Sequence, residues 1–138
     1  MKVKSYLLIL IVFMIIASIL FSVYSHYNNK AKQEIVNSLK IHIDSLDELQ
    51  SRIEKIDDNK LNKEEISLAS TLLTKQSYMI GAQLANYDKE KHQFYHNLYD
   101  KYFRKFKPAY SNGDIGKSKG IIEEYKKGVK NFLKDIEN

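Results

Sequence analysis

The chain contains no cysteine, one proline and five glycines among 138 residues. Without cysteine, a disulfide framework, a cysteine-ligated zinc site and a thiol nucleophile are all excluded. Strands that are joined by tight turns usually need more glycine and proline than this chain has. The scarcity of these residues therefore favours an all-helical protein.

A concentrated charge of one sign is also missing. The formal net charge is +5, from 22 Lys and Arg against 17 Asp and Glu, and the two signs are mixed along the chain. A dedicated nucleic-acid binder gathers its positive charge in a patch or stripe, so we expect no nucleic-acid partner. No nucleophile motif organises the serines, histidines and aspartates. We therefore expect neither an enzyme nor a bound cofactor.

One long apolar run stands near the N-terminus, from Tyr6 to Tyr24, and it carries no charged side chain. As a helix this run is about 28 Å long, which matches the hydrocarbon thickness of a bilayer. Tyr6, Tyr24 and Tyr27 lie at its two ends, where aromatic rings favour the headgroup layer. The run therefore predicts a transmembrane helix.

The alternative for this run is a secretory signal peptide that is removed. Signal peptides usually have a shorter apolar run, with small residues three and one before the cut. The best match, Val23-Tyr24-Ser25, fits that pattern poorly. We therefore favour an uncleaved signal-anchor over residues 6–25, after a short tail (1–5) and before a helical soluble domain (26–138). A secreted helical protein is the alternative.

The orientation in the membrane has a weaker signal. Lys2 and Lys4 precede the apolar run, while Lys30, Lys32 and Lys40 follow it, so the lysine distribution is nearly balanced. An N-terminal anchor behaves like an uncut signal. We therefore expect a cytoplasmic N-terminus and an extracytoplasmic domain at the cell membrane.

Helical periodicity begins right after the anchor. From Asn29 to Ile56, apolar residues alternate by three and four positions, as they do in a coiled coil. These residues are Val36, Leu39, Ile43, Leu46 and Ile53. A polar break follows at residues 57–60, and Asn62 with Glu65 resembles a capping box at the start of the next helix.

A second helical pattern runs from Lys63 to Lys107 and is expected to stop at Pro108. It is too long to pack as one straight helix against the first, so we expect a bend near Gly81 or around residues 86–89. A third pattern places five residues on one face: Ile122, Tyr125, Val129, Phe132 and Ile136. Together these patterns predict an antiparallel three- or four-helix bundle behind the anchor.

Four possible metal ligands recur every four residues: Asp88, His92, His96 and Asp100. Residues at that spacing share one stripe of a helix, so neighbouring pairs can hold a metal ion. A complete zinc site needs further ligands from elsewhere in the chain. Gln93 stands where a zinc protease of the His-Glu-x-x-His type needs its Glu, which excludes that enzyme class. The simpler interpretation is an exposed stripe with weak Asp–His pairing.

Aromatic and basic residues interleave between Tyr95 and Lys107. On a helical wheel the rings share one face and the cations the opposite one, so we expect a core-facing aromatic stripe with a solvated basic back. Peripheral binding to anionic lipid is an alternative. The candidates for lipid or partner contact are Tyr99, Lys101, Tyr102, Arg104, Lys105 and Phe106.

The sequence thus favours a single-pass, membrane-anchored helical protein that is not an enzyme. We expect it to bind a protein partner, or a second copy of itself, through its helix faces. Metal binding at His92 and His96 is an alternative function of another class. Lipid binding through Tyr95 to Lys107 is a third.

Overall fold

The computed structural model describes residues 2–55 and 63–138. These ranges hold five α-helices and one 3₁₀ turn, and no strand occurs in them. In chain order they are α1 Lys2–Glu54, α2 Lys63–Tyr87, α3 Lys89–Lys101, the 3₁₀ turn Phe103–Lys105, α4 Phe106–Ser111 and α5 Ile115–Glu137. The predicted all-helical fold is confirmed. The predicted break at residues 57–60 and the capping role of Asn62 lie outside the described residues.

Helix α1 is one continuous helix of 53 residues with two different halves. Its most apolar stretch has a mean hydropathy of 2.3, and none of that stretch is buried within the chain. Its C-terminal half buries an apolar face from Ile35 to Ile53. By length and composition the N-terminal half can cross a membrane, and an N-terminal signal sequence has the same properties. The predicted boundary between anchor and domain, at residue 25, falls inside this helix.

Four helices form an antiparallel bundle in which α1 and α3 each lie beside both α2 and α5. His42 of α1 contacts Gln76 of α2. Lys126 and Glu137 of α5 form ion pairs with Asp47 and Lys40 of α1, so the chain direction reverses between these helices. Each helix turns an apolar face inward, and together the four faces make one core.

The bend that the second pattern required lies at Asp88, which separates α2 from α3. Asp88 has an extended backbone (φ −157°, ψ 114°). Its carboxylate accepts hydrogen bonds from the backbone N–H groups of Glu90 and Lys91 at 2.9 and 3.0 Å. These bonds satisfy donors that have no partner inside the helix, so Asp88 is the N-cap of α3. The bend around residues 86–89 is confirmed.

The prediction that the second helical pattern stops at Pro108 is wrong. Helix α3 ends at Lys101, and the chain continues through the 3₁₀ turn into α4. Pro108 is the third residue of α4. The first N–H groups of a helix have no intrahelical acceptor, so proline removes no hydrogen bond there. The helix ends three residues later, at Ser111, and Gly113 takes a left-handed conformation (φ 76°) in the turn that follows.

Helix α5 confirms the third pattern, because all five predicted residues are buried. Asp114 caps its first turn by accepting a hydrogen bond from the backbone N–H of Lys117 at 2.9 Å. Gly128 faces Leu98 of α3 so closely that a Cβ at this position would overlap the leucine side chain. Glycine therefore allows α3 and α5 to approach one another here.

Candidate functional site

A layer of polar side chains crosses the centre of the bundle, and each of the four helices contributes to it. The residues are His42 of α1, Ser77 of α2, Tyr95 of α3 and Tyr125 of α5. All four are buried, with 0%, 5%, 2% and 0% of their surface exposed. Buried polar groups are expensive unless they are hydrogen-bonded, so their partners decide what the layer does.

Helical spacing brings these side chains to one level. His42 follows Leu39 by three residues and precedes Leu46 by four, so its ring enters the core between two buried leucines. Tyr125 lies in the same way between Ile122 and Val129 of α5. The layer therefore occupies positions that apolar residues fill elsewhere in the bundle.

The hydrogen bonds of Gln76 fix the proton of the His42 ring. Gln76 Nε2 donates to Ser45 Oγ at 3.0 Å, and Ser45 Oγ donates to the carbonyl of Ile41 at 3.0 Å. Gln76 Oε1 is thus left as the acceptor in its 2.9 Å contact with His42 Nδ1. Nδ1 therefore carries the proton, and Nε2 is the acceptor nitrogen of a neutral ring.

Two hydroxyl groups contact that acceptor nitrogen, and the hydroxyl of Tyr95 contacts both of them. Tyr125 and Ser77 lie 3.2 and 3.3 Å from His42 Nε2. Ser77 Oγ lies 2.9 Å from the Tyr125 hydroxyl and 3.2 Å from that of Tyr95, and the two tyrosine oxygens are 3.3 Å apart. One of the three hydroxyl protons is donated to Nε2, and the other two are donated between the oxygens of Ser77, Tyr95 and Tyr125. Every donor in the layer therefore has an acceptor.

Burial keeps the layer uncharged at neutral pH. Desolvation lowers the pKa of His42 from 6.5 to about 4, against the smaller, raising effect of its hydrogen bond with Gln76. Desolvation also raises the pKa of Tyr95 to about 12, while the hydrogen bond with Ser77 works in the opposite direction. The pKa of Tyr125 is raised well above 10 by burial as well. All the ionisable groups of the layer are therefore neutral near pH 7.

The geometry suits a structural role better than catalysis. The electron pair of His42 Nε2 is already taken by a hydroxyl proton, and the ring has no exposed surface. A general base must reach a proton of a bound substrate. A satisfied polar network in a core instead favours one register of the helices, because any shift would leave its members without partners.

A cleft between α2 and α3 reaches this layer from the surface. Its volume is about 300 Å³, and its walls are Tyr78, Gly81, Ala82 and Ala85 of α2 with His92, His96 and Tyr99 of α3, while Ser77 and Tyr95 lie at its inner end. The rings of His92 and His96 are stacked, with centroids 6.3 Å apart and planes 15° apart. The α3 wall is therefore a ladder of rings, and the α2 wall is built largely from small residues.

The four residues of the predicted metal site have different surroundings. The carboxylate of Asp88 is engaged as the N-cap of α3. His96 Nε2 lies 3.5 Å from Asp100 Oδ2, as the simpler interpretation expected, but of the four residues only His96 is exposed and the other three are half-buried. Asp100 also lies 3.4 Å from Arg104 Nε. In residues 2–55 and 63–138, no three His, Asp or Glu side chains are grouped as a metal site requires. Metal binding at His92 and His96 stays a prediction.

The residues predicted for lipid or partner contact divide into two groups. Phe106 is buried and stacks between Phe103 and Tyr110, so its ring belongs to the core. Tyr99 and Tyr102 are half-buried. The three basic residues, Lys101, Arg104 and Lys105, are exposed. The expected aromatic stripe with a basic back is confirmed. Within that back, Arg104 is paired with Asp100 and the Lys101 ammonium lies 4.9 Å from the centroid of the Tyr102 ring.

This segment also lies far from the apolar half of α1. Tyr99 and Phe103 both pack on Tyr125, whose hydroxyl contacts His42. His42 stands about 27 Å along α1 from Tyr24, given the rise of an α-helix. If a bilayer surrounded the apolar half, its lipid would be out of reach of Tyr99 to Lys107.

A groove of about 440 Å³ follows the line between α1 and α2 on another side of the bundle. Three aliphatic side chains of α2 border it and are more than half exposed: Leu68, Leu72 and Met79. Ser45, Glu48 and Arg52 of α1 form the opposite border. The α2 side of the groove is mainly apolar but also carries Lys75 and Gln76, and the α1 side is mainly polar but includes Leu49.

No protein family, curated protein or solved structure matches this chain.

Proposed function

We propose that the chain is a single-pass membrane protein that holds a non-enzymatic helical bundle at the membrane surface, where the bundle binds a second copy of itself. The observation that supports this most is the continuity of α1. The apolar half has no cover within the chain and passes into the bundle without a break. A continuous helix transmits the orientation of the anchor to the domain, because no flexible linker separates them.

The anchor leads to the first prediction. The full chain should stay in the membrane pellet after an alkaline carbonate wash, and a variant that lacks residues 6–24 should be released. In cells whose outer layers admit protease but whose cell membrane is intact, added protease should remove the bundle, because we place it on the extracytoplasmic side. Immunoblotting of pellet, supernatant and protected fragment measures all three results.

The mass of the mature chain decides between anchor and signal peptide. A mature chain that starts near His26 and remains soluble would contradict the proposal and support the secreted alternative. A bundle that protease reaches only after cell lysis would retain the anchor and reverse the orientation.

Two copies in one membrane are constrained before they meet. Their α1 helices cross the same bilayer, so a given residue lies at the same distance from the membrane in both copies. A two-fold axis that relates the copies is therefore parallel to the membrane normal. Confinement to a surface also raises the effective concentration of one copy for another. A symmetric contact through the α1–α2 groove would cover the exposed Leu68, Leu72 and Met79.

Charges beside the groove are suited to that symmetry. Asp44 of α1 and Lys75 of α2 lie at one height, because the neighbouring Ser45 contacts Gln76. Both are exposed, and neither has an ion-pair partner within the described part of the chain. A two-fold contact brings α1 of one copy to α2 of the other. Each Lys75 then meets an Asp44 of opposite charge.

A charge swap tests this contact. We expect Lys75→Asp to weaken self-association about tenfold, since two attractive pairs become repulsive. The double variant Asp44→Lys, Lys75→Asp should restore it. The chain has no cysteine, so Asn138→Cys provides one labelling site, and energy transfer between labelled copies in proteoliposomes gives the dissociation constant.

The control for the charge swap is Phe94→Gln, because Phe94 is exposed on α3 and away from the groove. It should leave self-association unchanged. If the single and double charge variants associate alike, the groove is not the interface.

A further inference from the structure

We infer that the cleft between α2 and α3 is a binding site for a small, flat, uncharged aromatic molecule that carries one hydrogen-bonding group. This site lies on a different side of α2 from the groove proposed for self-association. A result that contradicts self-association through the groove therefore leaves this inference untouched, and the converse also holds.

The shape of the cleft points to a flat ligand. On one wall His92, His96 and Tyr99 follow one another at helical spacing, so three aromatic rings border the cleft on this side. On the facing wall Gly81 and Ala85 present almost no side chain. A planar ring fits between such walls and stacks on the imidazoles, since offset stacking of aromatic rings is favourable.

Gly81 lines the cleft on the α2 side and leaves it open. Glycine in a helix interior is less stable than alanine. Gly81 has no positive φ, and nothing lies within 4 Å of the place where a Cβ would stand. Gly128 differs, because there the close approach of Leu98 accounts for the missing side chain. A Cβ at Gly81 would stand in open space, as it would at Gly116 and Gly120 of α5, but only Gly81 of these three lines the cleft.

The chemistry of the lining defines the class of ligand. No Lys, Arg, Asp or Glu is among the residues that line the cleft, so no permanently charged side chain there balances a charged ligand. At the inner end, Ser77 and Tyr95 are more than nine-tenths buried and belong to the polar layer. Each hydroxyl oxygen can accept a second hydrogen bond. A ligand N–H or O–H that reaches them would be held by a buried, prearranged acceptor.

The volume agrees with a ligand of this size. About 300 Å³ is at the lower end of small-molecule sites in proteins. A two-ring aromatic such as an indole suits it, with its ring N–H directed at the Ser77 and Tyr95 oxygens. The bound ring would also cover part of the histidine ladder.

The probe for the test is 5-fluoroindole, added to the full chain in lipid nanodiscs with a metal chelator present. Binding is followed by the fluorine line width, with empty nanodiscs as the reference for partition into lipid. Ala85→Leu fills the cleft and exchanges one strong helix former for another. We expect at least tenfold weaker binding in this variant. Asn86→Leu, one residue further and outside the lining, should bind like the native chain.

Two further arms separate the possible results. Gly81→Ala should raise the midpoint of thermal unfolding while it weakens binding, because its methyl group narrows the cleft and meets no protein atom. The charged analogue 5-fluoroindole-2-carboxylate should not bind. Equal line widths for the native chain and Ala85→Leu, no broadening beyond empty nanodiscs, or equal binding of the carboxylate would each overturn the inference.

Discussion

Replacement of Tyr125 by alanine is expected to lower the free energy of unfolding of the bundle by about 4 kcal/mol. The ring is fully buried, and its centroid lies 5.2 Å from that of Phe103 and 5.8 Å from that of His42. Its loss creates a cavity in the centre of the core. It also removes the hydroxyl that lies 2.9 Å from Ser77. Urea unfolding of the full chain, followed by the near-ultraviolet circular dichroism of its tyrosines, measures the change.

Tyr125→Phe separates the hydroxyl from the ring and keeps the bundle folded. We expect a loss of about 1 kcal/mol, because Ser77 and His42 lose a partner that water cannot replace in the core. Tyr110→Phe is the matched control. Tyr110 is also buried, but its hydroxyl has no hydrogen-bond partner among the described residues. Removal of the Tyr110 hydroxyl should leave the free energy of unfolding unchanged or raise it. If both variants lose the same free energy of unfolding, the hydrogen bonds of the polar layer do not stabilise the bundle.

The apolar faces of the helices could be predicted from the sequence to a large extent. On α5 the spacing identified every buried apolar residue from Ile122 to Ile136. On α1 the five predicted residues are buried, but so are Ile35, His42 and Leu49. A single coiled-coil seam has one partner, whereas α1 packs against both α2 and α5. Its buried face is therefore wider than the pattern indicated.

The path of the chain after Asp88 was harder to foresee. The spacing of Asp88 from His92 suits a metal ligand, but its position before the following backbone N–H groups also suits an N-cap, and the N-cap is what the structure shows. A proline such as Pro108 can end a helix, but it is equally compatible with a first helical turn, where the structure has it. Each residue type allows two local structures, and the choice between them depends on tertiary contacts that are distant in sequence.

The polar layer could not be predicted from the sequence for a related reason. Tyr95 and Tyr125 were assigned correctly to buried faces, but the partners of their hydroxyls come from other helices. Between His42 and Tyr125 lie 83 positions, so no local spacing encodes the contact. One signal was present: His42 stands between Leu39 and Leu46 at core spacing. A histidine there needs buried hydrogen-bond partners, and Gln76, Ser77 and Tyr125 provide them.

His42 should make the stability of the bundle depend on pH. Its pKa is about 4 in the folded chain because of desolvation, against 6.5 for an exposed histidine. Between these values the unfolded chain binds a proton that the folded chain does not. The stabilisation is therefore complete above about pH 6.5 and is lost as the pH falls toward 4, by about 3 kcal/mol in total.

The variant His42→Gln isolates this contribution, since glutamine also donates and accepts hydrogen bonds and does not titrate. The hydrogen-bond partners of His42 are Gln76, Ser77 and Tyr125, and none of them ionises between pH 4 and 7. Carboxylates elsewhere titrate alike in both chains, so the difference in unfolding free energy between native and variant reports His42 alone. We expect this difference to shift by about 3 kcal/mol in favour of the variant from pH 7 to pH 4. A constant difference would mean that the imidazole takes up a proton as easily in the folded bundle as in water, and the neutral, closed hydrogen-bond layer would then have to be abandoned.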